Sequence, residues 1–402
     1  MYKKPDFEPT RNEMYEILEN NIKPISKNEV ISAAEACGRI CAEDIYSINN
    51  LPNKVVSAFD GIAVRFEDFE KGIPDTSSWK EGKEYCFGNT GVAVNEEFDT
   101  LIAIEDVEFN NEGKITFFSC PSRKGENIGS VGSQMKEGEL LVHKGEKLTP
   151  LLIGLLLSSG IVNIKVLSKP KVAFIPTGDE LVPAGYEIPL GENVESNSIM
   201  LKNYIEDNGG QAIIYPIIKD KFDKLKEAVL SAIQIADLVL ICAGSSKGSK
   251  DFTIPILESI GKVIVYELGH GPGKHCSFTY SEGIPVMGLP GPPNGAALVS
   301  ELYVKNALRL MQMQPIQLPN VIEAVLTEDI HGYDFDFIGY MNVTLKEGKY
   351  YAKPVIMQGK TRAELYHSHN ARFYIKKKAE YKTGEIIAAE IRCAKEYIKE
   401  DY

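Results

Sequence analysis

Short apolar runs alternate with helical segments along residues 170–312, and this alternation constrains the fold more than any other feature of the chain. The runs include KVAFIP (171–176), DLVLICAG (237–244) and KVIVYEL (262–268). Strands alternating with helices of about ten to fifteen residues are typical of βαβ units and a parallel sheet. Strands that are apolar throughout indicate helices on both faces. The sequence therefore predicts a doubly wound α/β domain over 170–312.

Patterns on either side of this domain predict further units, because 402 residues exceed what one core can hold. Residues 1–50 and 134–169 show apolar positions at helical spacing, which predicts a helical linker domain with Ser26 as a cap. Short apolar runs separated by glycine and charged residues predict a small β domain, inserted over 51–133. Strand-like runs over 313–402 predict a C-terminal β-barrel.

The charge and the cysteines exclude several classes of protein. A net charge of −12 argues against nonspecific binding to nucleic acids or anionic membranes, because both need a basic surface. The seven cysteines are scattered and form no CxxC pair, so a zinc site and a disulfide framework are both disfavoured. The longest apolar run, 151–166, is interrupted by glycines and too short to span a bilayer. We expect a cytoplasmic protein.

Three loops rich in small residues follow strands of the predicted α/β domain. They are PTGDE (176–180), AGSSKGSKD (243–251) and GLPGPPNGAA (288–297). Ligands of open parallel sheets bind at the carboxyl ends of the strands. Glycine-rich turns let backbone N–H groups approach a phosphate, and helix N-termini favour anions. Any one of these loops could equally be a tight turn that ends in a helix cap. Asp251 by itself is equally well explained as such a cap. Together they favour a phosphate-bearing ligand, although neither a P-loop nor a GxGxxG fingerprint is present.

Three other segments allow more than one interpretation. His367 and His369 would lie on the same side of a strand as a metal pair, but no third ligand is nearby in the sequence. The basic run RFYIKKK (372–378) is more typical of a solvated strand face than of a binding site. In SAFDGIAVR (57–65), Asp60 is by local rules a turn residue before a strand. The same turn could also display its carboxylate for chemistry.

Nine segments, in order along nearly the whole chain, resemble those of the molybdopterin molybdenumtransferases, the MoeA and gephyrin E-domain family. They are LPNKVVSAFDGIAVR, NTGVAVNEEFDTLIAIED, KGENIGSVGSQMKEGELL, LTPLLIGLLLSSGI, PTGDELV, ESNSIML, AGSSKGSKDF, PGKHCSF and GLPGPPNGAALV. The resemblance implies an elongated homodimer of four-domain subunits. It implies insertion of molybdenum from molybdate into adenylylated molybdopterin, with magnesium as cofactor and release of AMP. Other proteins of molybdenum cofactor biosynthesis would be its partners.

The resemblance also implies roles for individual residues. It gives catalytic roles to the carboxylates of Asp60, Glu180 and Asp251. Glu180 and Asp251 would also be magnesium ligands. It gives substrate-binding roles to residues in the three strand-end loops and in two other segments: Thr90, Thr177, Gly178, Asp179, Ser246, Gly248, Lys274, Pro290 and Gly291. The cleft would lie between the α/β domain of one subunit and the loop of Asp60 from the other.

Several positions depart from the family pattern in the region of its oxyanion pocket. Gly271 replaces a lysine, Lys360 replaces a serine, and the third loop contains Pro292 and Gly295 in altered positions. An oxyanion needs hydrogen-bond donors and positive charge. We expect Lys360 and Arg362 to supply the missing charge. Two alternatives stay open: a non-catalytic pterin-binding or scaffold paralogue, and a related enzyme that uses another oxyanion.

Overall fold

The computed structural model describes residues 7–185, 187–243, 252–395 and 398. They form two compact units. The N-terminal unit comprises residues 27–167, and the main unit comprises the described residues up to 26 and from 168 onward. Helix α1 (Arg11–Asn21) opens the chain with a capping box, in which Thr10 and Glu13 satisfy each other's backbone N–H groups.

The N-terminal unit consists of short strands and one helix. Its elements are β1 (Asn28–Ser32), β2 (Ile45–Tyr46), β3 (Val56–Ser57), β4 (Gly61–Val64), β5 (Tyr85–Gly88), β6 (Thr100–Ala103), β7 (Val107–Phe109), β8 (Ile115–Phe117), β9 (Ile128–Gly129), β10 (Leu140–Val142), α2 (Pro150–Ser158) and β11 (Asn163–Leu167). Strand β4 is central in an antiparallel sheet with β5 and β6. All four residues of β4 are buried, so the strand fixes the position of the loop before it.

The prediction of a helix after Ser26 is wrong. Residues Asn28–Ser32 form strand β1, and only a single 3₁₀ turn, Ala33–Glu35, follows it. Strand β1 pairs antiparallel with β11, so a partner more than a hundred residues away overrides the local helical spacing. Helix α1 belongs to the main unit, because Met14 and Leu18 are buried in the same core as the central sheet.

The α/β domain of the main unit contains a six-stranded sheet. Its elements are β12 (Lys171–Pro176), β13 (Leu181–Val182), β14 (Asn193–Val194), α3 (Asn197–Asp207), β15 (Gln211–Ile214), α4 (Phe222–Ile233), β16 (Leu238–Ala243), α5 (Thr253–Ile260), β17 (Lys262–Val265), β18 (His270–Gly271), β19 (Ser277–Ser281), β20 (Ile284–Pro290), α6 (Pro293–Val299) and α7 (Lys305–Met311). A π-helical turn, Ser300–Val304, joins α6 to α7.

Helices cover both faces of this sheet, which confirms the doubly wound α/β fold. The strand order is β15-β12-β16-β20-β19-β17. One core packs α1, α3, α6 and α7 against the sheet, and a second core packs α4 and α5 against the opposite face. The first four strands are parallel, as predicted, whereas β19 runs antiparallel to both of its neighbours. A tight Glu282–Gly283 hairpin between β19 and β20 reverses the direction of the chain.

The C-terminal part is a closed β-barrel, as predicted. Its elements are β21 (Val321–Leu326), β22 (Ile330–His331), β23 (Asp336–Lys346), β24 (Lys349–Pro354), α8 (Arg362–His367), β25 (Ala371–Ile375), β26 (Glu380–Tyr381) and β27 (Ile386–Ile391). Five strands close a ring in the order β23-β24-β21-β27-β25, because β25 also pairs with β23. Strand β18 of the α/β domain pairs with β23 and connects the two parts of the main unit.

The placement of His367 and His369 on a strand is wrong. His367 is the last residue of helix α8, and His369 lies in the following loop, where Arg392 contacts its ring. Within the described residues, no group of three or more histidine, cysteine or acidic side chains is placed to hold a metal ion. The same part of the chain contains no helix long and apolar enough to cross a membrane.

Candidate active site

A cavity of about 540 Å³ lies at the carboxyl ends of strands β12, β16 and β20. The strand ends, the start of α3, the residues before α6 and the first residue of α8 form its wall. Its lining residues are Pro176, Thr177, Glu180, Leu181, Ile188, Glu192, Asn193, Val194, Glu195, Ser196, Asn197, Cys242, Gly291, Pro292, Pro293 and Arg362. The cavity is therefore at the edge where parallel α/β sheets bind their ligands.

The loop after β12 is held by backbone hydrogen bonds. The Thr177 N–H donates to the Cys242 carbonyl at 3.0 Å, and the Gly178 N–H donates to the Ile218 carbonyl at 3.1 Å. These two N–H groups are therefore engaged within the protein, contrary to the expectation that they would be available to a ligand. A Cβ atom at Gly178 would lie 2.8 Å from Leu181 Cγ, so only glycine fits between the loop and that side chain.

The two carboxylates of this loop differ in position. The Thr177 hydroxyl donates to Asp220 at 2.8 Å, and the Asp220 N–H donates to Asp179 Oδ1 at 3.2 Å. Asp179 thus has a partner in the loop before α4, whereas Glu180 lines the cavity. Of the four residues that the sequence predicts here, Thr177 and Glu180 line the cavity, and Gly178 and Asp179 shape the turn between them.

Asn197 and Cys242 form the innermost wall of the cavity. The Asn197 side-chain amide donates to the Gly291 carbonyl at 2.9 Å and to Cys242 Sγ at 3.2 Å. These bonds tie the start of α3 to the loop after β20. Burial raises the pKa of the Cys242 thiol to about 12. The thiol stays protonated at neutral pH, so Cys242 is a wall residue and not a nucleophile.

The charges around the cavity are unequal. Three carboxylates, Glu180, Glu192 and Glu195, line it, and among the described lining residues Arg362 is the only cation. The Ser198 N–H donates to Glu195 at 3.0 Å, so that carboxylate also caps the first turn of α3. Within the described part of the lining, Arg362 therefore carries the positive charge that faces an anionic ligand.

The three predicted anion-binding side chains do not converge in this structure. Arg362 lines the cavity, but Lys360 is exposed and lies outside its lining. The Lys274 ammonium is 3.2 Å from a Glu8 carboxylate oxygen and 3.8 Å from Glu267. Sequence reasoning missed Glu8 and Glu267, since no local pattern connects residue 8 to residue 274.

Asp60 and Thr90 form a pair on the N-terminal unit. The Thr90 N–H and hydroxyl both donate to Asp60 Oδ1, at 2.8 and 3.0 Å. These two bonds lower the pKa of the exposed Asp60 carboxyl. Next to it, a Cβ at Gly61 would lie 2.2 Å from the Ile102 carbonyl oxygen, so the turn into β4 requires glycine. The turn thus displays an ionised carboxylate in a fixed position.

The remaining predicted residues divide into two groups. Gly291 lines the cavity and Pro290 ends strand β20 beneath it. Ser246, Gly248 and Asp251 lie outside the described residues.

Comparisons with known proteins match both halves of the chain. Residues 10–160 match the family described as "MoeA N-terminal region (domain I and II)", and residues 173–310 match the "Probable molybdopterin binding domain". A molybdopterin molybdenumtransferase of Haemophilus influenzae is 33% identical over 301 residues, which cover 72% of this chain and 74% of that protein. The chain belongs to the molybdopterin molybdenumtransferase family. This is a family of transferases, and the protein acts in molybdenum cofactor biosynthesis.

Other relatives support the assignment over the full length. A molybdopterin molybdenumtransferase of Staphylococcus epidermidis is 29% identical over 323 residues, covering 76% of each chain. The crystal structure of a molybdopterin biosynthesis MoeA protein from Pyrococcus horikoshii superposes with a TM-score of 0.77 at 28% identity. That match covers 96% of this chain and 99% of the other. The fold of this family member therefore extends through the C-terminal barrel.

Proposed function

We propose that the protein inserts molybdenum from molybdate into adenylylated molybdopterin and releases AMP. In this reaction the two dithiolene thiols of molybdopterin bind the molybdenum, and one molybdate oxygen leaves as water with the two thiol protons. A water molecule attacks the phosphoanhydride bond between molybdopterin and the adenylate, and AMP is the leaving group. The observation that carries the proposal is the cavity at the strand ends, which combines a carboxylate, hydroxyl groups and one arginine at an edge suited to a phosphate ligand. The family relationship supplies the substrate class.

The lining residues suggest how the substrate would be held. The Arg362 guanidinium would pair with a phosphate oxygen, since a planar guanidinium binds such anions through two parallel hydrogen bonds. Gly291 and Pro290 would support the nucleotide from the loop after β20, and Thr177 from the loop after β12. The bonds from Asn197 hold the β20 loop against α3 at this point. These contacts would orient the adenylate before the chemical step.

Magnesium fits the donors of this cavity. Glu180 offers carboxylate oxygens at the cavity wall, and Mg²⁺ is commonly held by one or two carboxylates together with substrate phosphates and water. We assign Glu180 and Asp251 as its protein ligands. Bound there, the ion would neutralise charge on the phosphates. The metal-binding role of Glu180 would thus depend on the phosphate oxygens of the substrate.

Asp60 is the carboxylate proposed for the insertion step, supplied by the second subunit of a homodimer. The carboxylate is ionised at neutral pH, and the two hydrogen bonds that Thr90 donates to Oδ1 hold it in position. The second oxygen of the carboxylate can then accept a proton or orient a ligand of the incoming metal. The reaction would take place in the cytoplasm, together with other proteins of cofactor biosynthesis.

Reconstitution with purified components tests this proposal. Adenylylated molybdopterin, molybdate and magnesium chloride should give AMP in the presence of the protein, and chromatography would measure it. Asp60→Asn should slow AMP release about a hundredfold, as for loss of a proton-transferring group. Glu192→Gln, which changes a lining carboxylate without an assigned role, is the matched control. No AMP release by the folded wild-type protein would refute the transferase reaction.

A non-catalytic pterin-binding role is the second candidate, and the state of Lys274 favours it. Glu8 and Glu267 neutralise this lysine, and a Cβ at Gly271 would lie 3.0 Å from Phe335 Cε2, which leaves little room for a side chain there. In that case molybdopterin would bind tightly without turnover, and Asp60→Asn would leave its affinity unchanged. A related enzyme that uses another oxyanion is the remaining alternative. Calorimetric titration with molybdate and with tungstate tests it, because binding of neither anion would point away from the transferase.

A further inference from the structure

The N-terminal segment crosses the loop that carries Lys274. The Gly269 N–H donates to the Pro9 carbonyl at 2.8 Å. A Cβ at Gly269 would lie 2.7 Å from the Glu8 carbonyl oxygen, so the two backbones are in direct contact. Helix α1 then anchors the segment, because Met14 and Leu18 are completely buried in the core of the α/β domain. The backbone of Glu8 is therefore held beside the lysine loop.

The Glu8 side chain binds the Lys274 ammonium directly. Its two carboxylate oxygens are 3.3 and 3.2 Å from Lys274 Nζ. On the other side, Glu267 lies 3.8 Å from the same nitrogen, and its side chain is only 9% exposed. Lys274 is 31% and Glu8 19% exposed, so solvent screens this group only in part. Two carboxylates therefore contact one ammonium, and an oxyanion would have to displace one of them.

Lys274 nevertheless lies next to the turn that lines the cavity. The preceding residue, Gly273, packs against the first turn of α6: its Cα would be 3.7 Å from a Cβ at Gly295. The residues that enter this turn, Gly291 and Pro292, are part of the cavity lining. The lysine loop thus contacts the first turn of the helix that begins with the lining residue Pro293. Lysine has a long flexible stem, so Lys274 could exchange one anionic partner for another without movement of the backbone.

We propose that Glu8 is a built-in competitor of the oxyanion substrate, occupying Lys274 until molybdate displaces its carboxylate. This inference rests on the proposed function and adds that molybdate binds at Lys274, a residue to which the family resemblance assigns substrate binding. Glu267 is buried and also lies 3.0 Å from His275 Nδ1, so it stays in place, whereas Glu8 is the exchangeable partner of the lysine. The competition raises the molybdate concentration needed to fill the site, and it keeps the lysine paired when no oxyanion is bound.

Calorimetric titration of the full-length protein with sodium molybdate tests the competition. Glu8→Gln should tighten molybdate binding about fivefold, the scale of one partly exposed ion pair. In a Lys274→Ala background, Glu8→Gln should leave the affinity for molybdate unchanged, because Lys274 is the group for which molybdate and the Glu8 carboxylate compete. Glu206→Gln is the matched control, since its carboxylate lies 3.9 Å from Lys202 on the exposed face of α3. Glu8→Asp, which keeps the charge but shortens the reach, serves as a second and milder variant.

The outcomes separate this inference from the proposed function. Unchanged or weaker molybdate binding in both Glu8 variants, with AMP release intact, would overturn only the competitor role. A fivefold tightening that persists in the Lys274→Ala background would also overturn it, because the effect would then act elsewhere. If the wild-type protein and the variants neither bind molybdate nor release AMP, the proposed function fails and the inference fails with it.

Discussion

At the scale of single residues, the position of Asp60 depends on Thr90. The aspartate is exposed, and hydrogen bonds are the main influence on its pKa: the N–H and then the hydroxyl of Thr90 lower it. A depressed carboxyl pKa adds stability above the unfolded value, here 3.8, and that stability is lost as the pH falls through the folded value. Near neutral pH the carboxylate is ionised with or without Thr90. The threonine therefore fixes where the charge is, not whether it exists.

Removal of the Thr90 hydroxyl should separate these two effects. In Thr90→Val the backbone N–H remains and one of two hydrogen bonds is lost, so the pKa of Asp60 should rise part of the way toward 3.8. Carbon-13 NMR titration of the aspartate carboxyls would measure it. Asp75, whose pKa is lowered by Ser77, should titrate unchanged and serves as the internal control. An unchanged Asp60 titration would show that the hydroxyl bond is not formed in solution.

At the scale of elements, the short helix α8 carries the cationic side of the cavity. Arg362 is its first residue, and Thr361 caps it: the Glu364 N–H donates to the Thr361 hydroxyl, and the Thr361 N–H donates to the Glu364 carboxylate at 2.7 Å. A helix of six residues is too short to be stable by itself. The cap and the buried Leu365 therefore determine how rigidly Arg362 is held.

Loss of this cap should weaken substrate binding. Thr361→Ala should destabilise α8 by about 1 kcal/mol and raise the KM for the adenylylated substrate, with kcat less affected. Thr10→Ala removes the same capping box from α1, a helix that contributes no residue to the cavity lining, and is the matched control. Steady-state kinetics and thermal unfolding would compare the two. Equal KM values in both variants would show that α8 does not position Arg362.

The same elements show why only part of the fold is readable from the sequence. Strand β12, helix α4 and the turns between them follow from local periodicity and turn chemistry, which one segment contains entirely. The local pattern of residues in strand β1 predicts a helix, and the strand forms only because it pairs with β11. Arg362 lines a cavity formed by strands whose ends lie between 72 and 186 residues earlier in the chain. Local pattern therefore predicts the strand-end loops, whereas contacts such as that of Arg362 need the complete fold.

At the scale of the whole molecule, the N-terminal unit presents an apolar face that supports the proposed homodimer. Helix α2 is almost entirely apolar, and Leu151 is 82% exposed on it. Val162 follows the helix at 61% exposed, and Val30 on strand β1 is 69% exposed. Val30 and Val162 lie on adjoining segments, because β1 pairs with β11, which starts directly after Val162. Exposed apolar side chains that lie together commonly mark an interface. The proposed cleft needs Asp60 from another subunit. We therefore propose that a second copy of the chain binds to this apolar face.

Charge placed on this face should prevent assembly. In a symmetric dimer, Leu151→Arg would place one guanidinium from each copy in the interface. Neither charge would have a partner there, so the dimer should dissociate to monomers. Ile386→Arg is the matched control, because Ile386 is 68% exposed on strand β27 of the barrel, which belongs to the other unit. Analytical ultracentrifugation would give the masses, and AMP release would give the activity.

Since Asp60 is proposed to act in the other subunit, the Leu151→Arg monomer should fold, bind the nucleotide and yet fail to release AMP. An active monomer would contradict the exchange of Asp60 between subunits while leaving the cavity assignments intact.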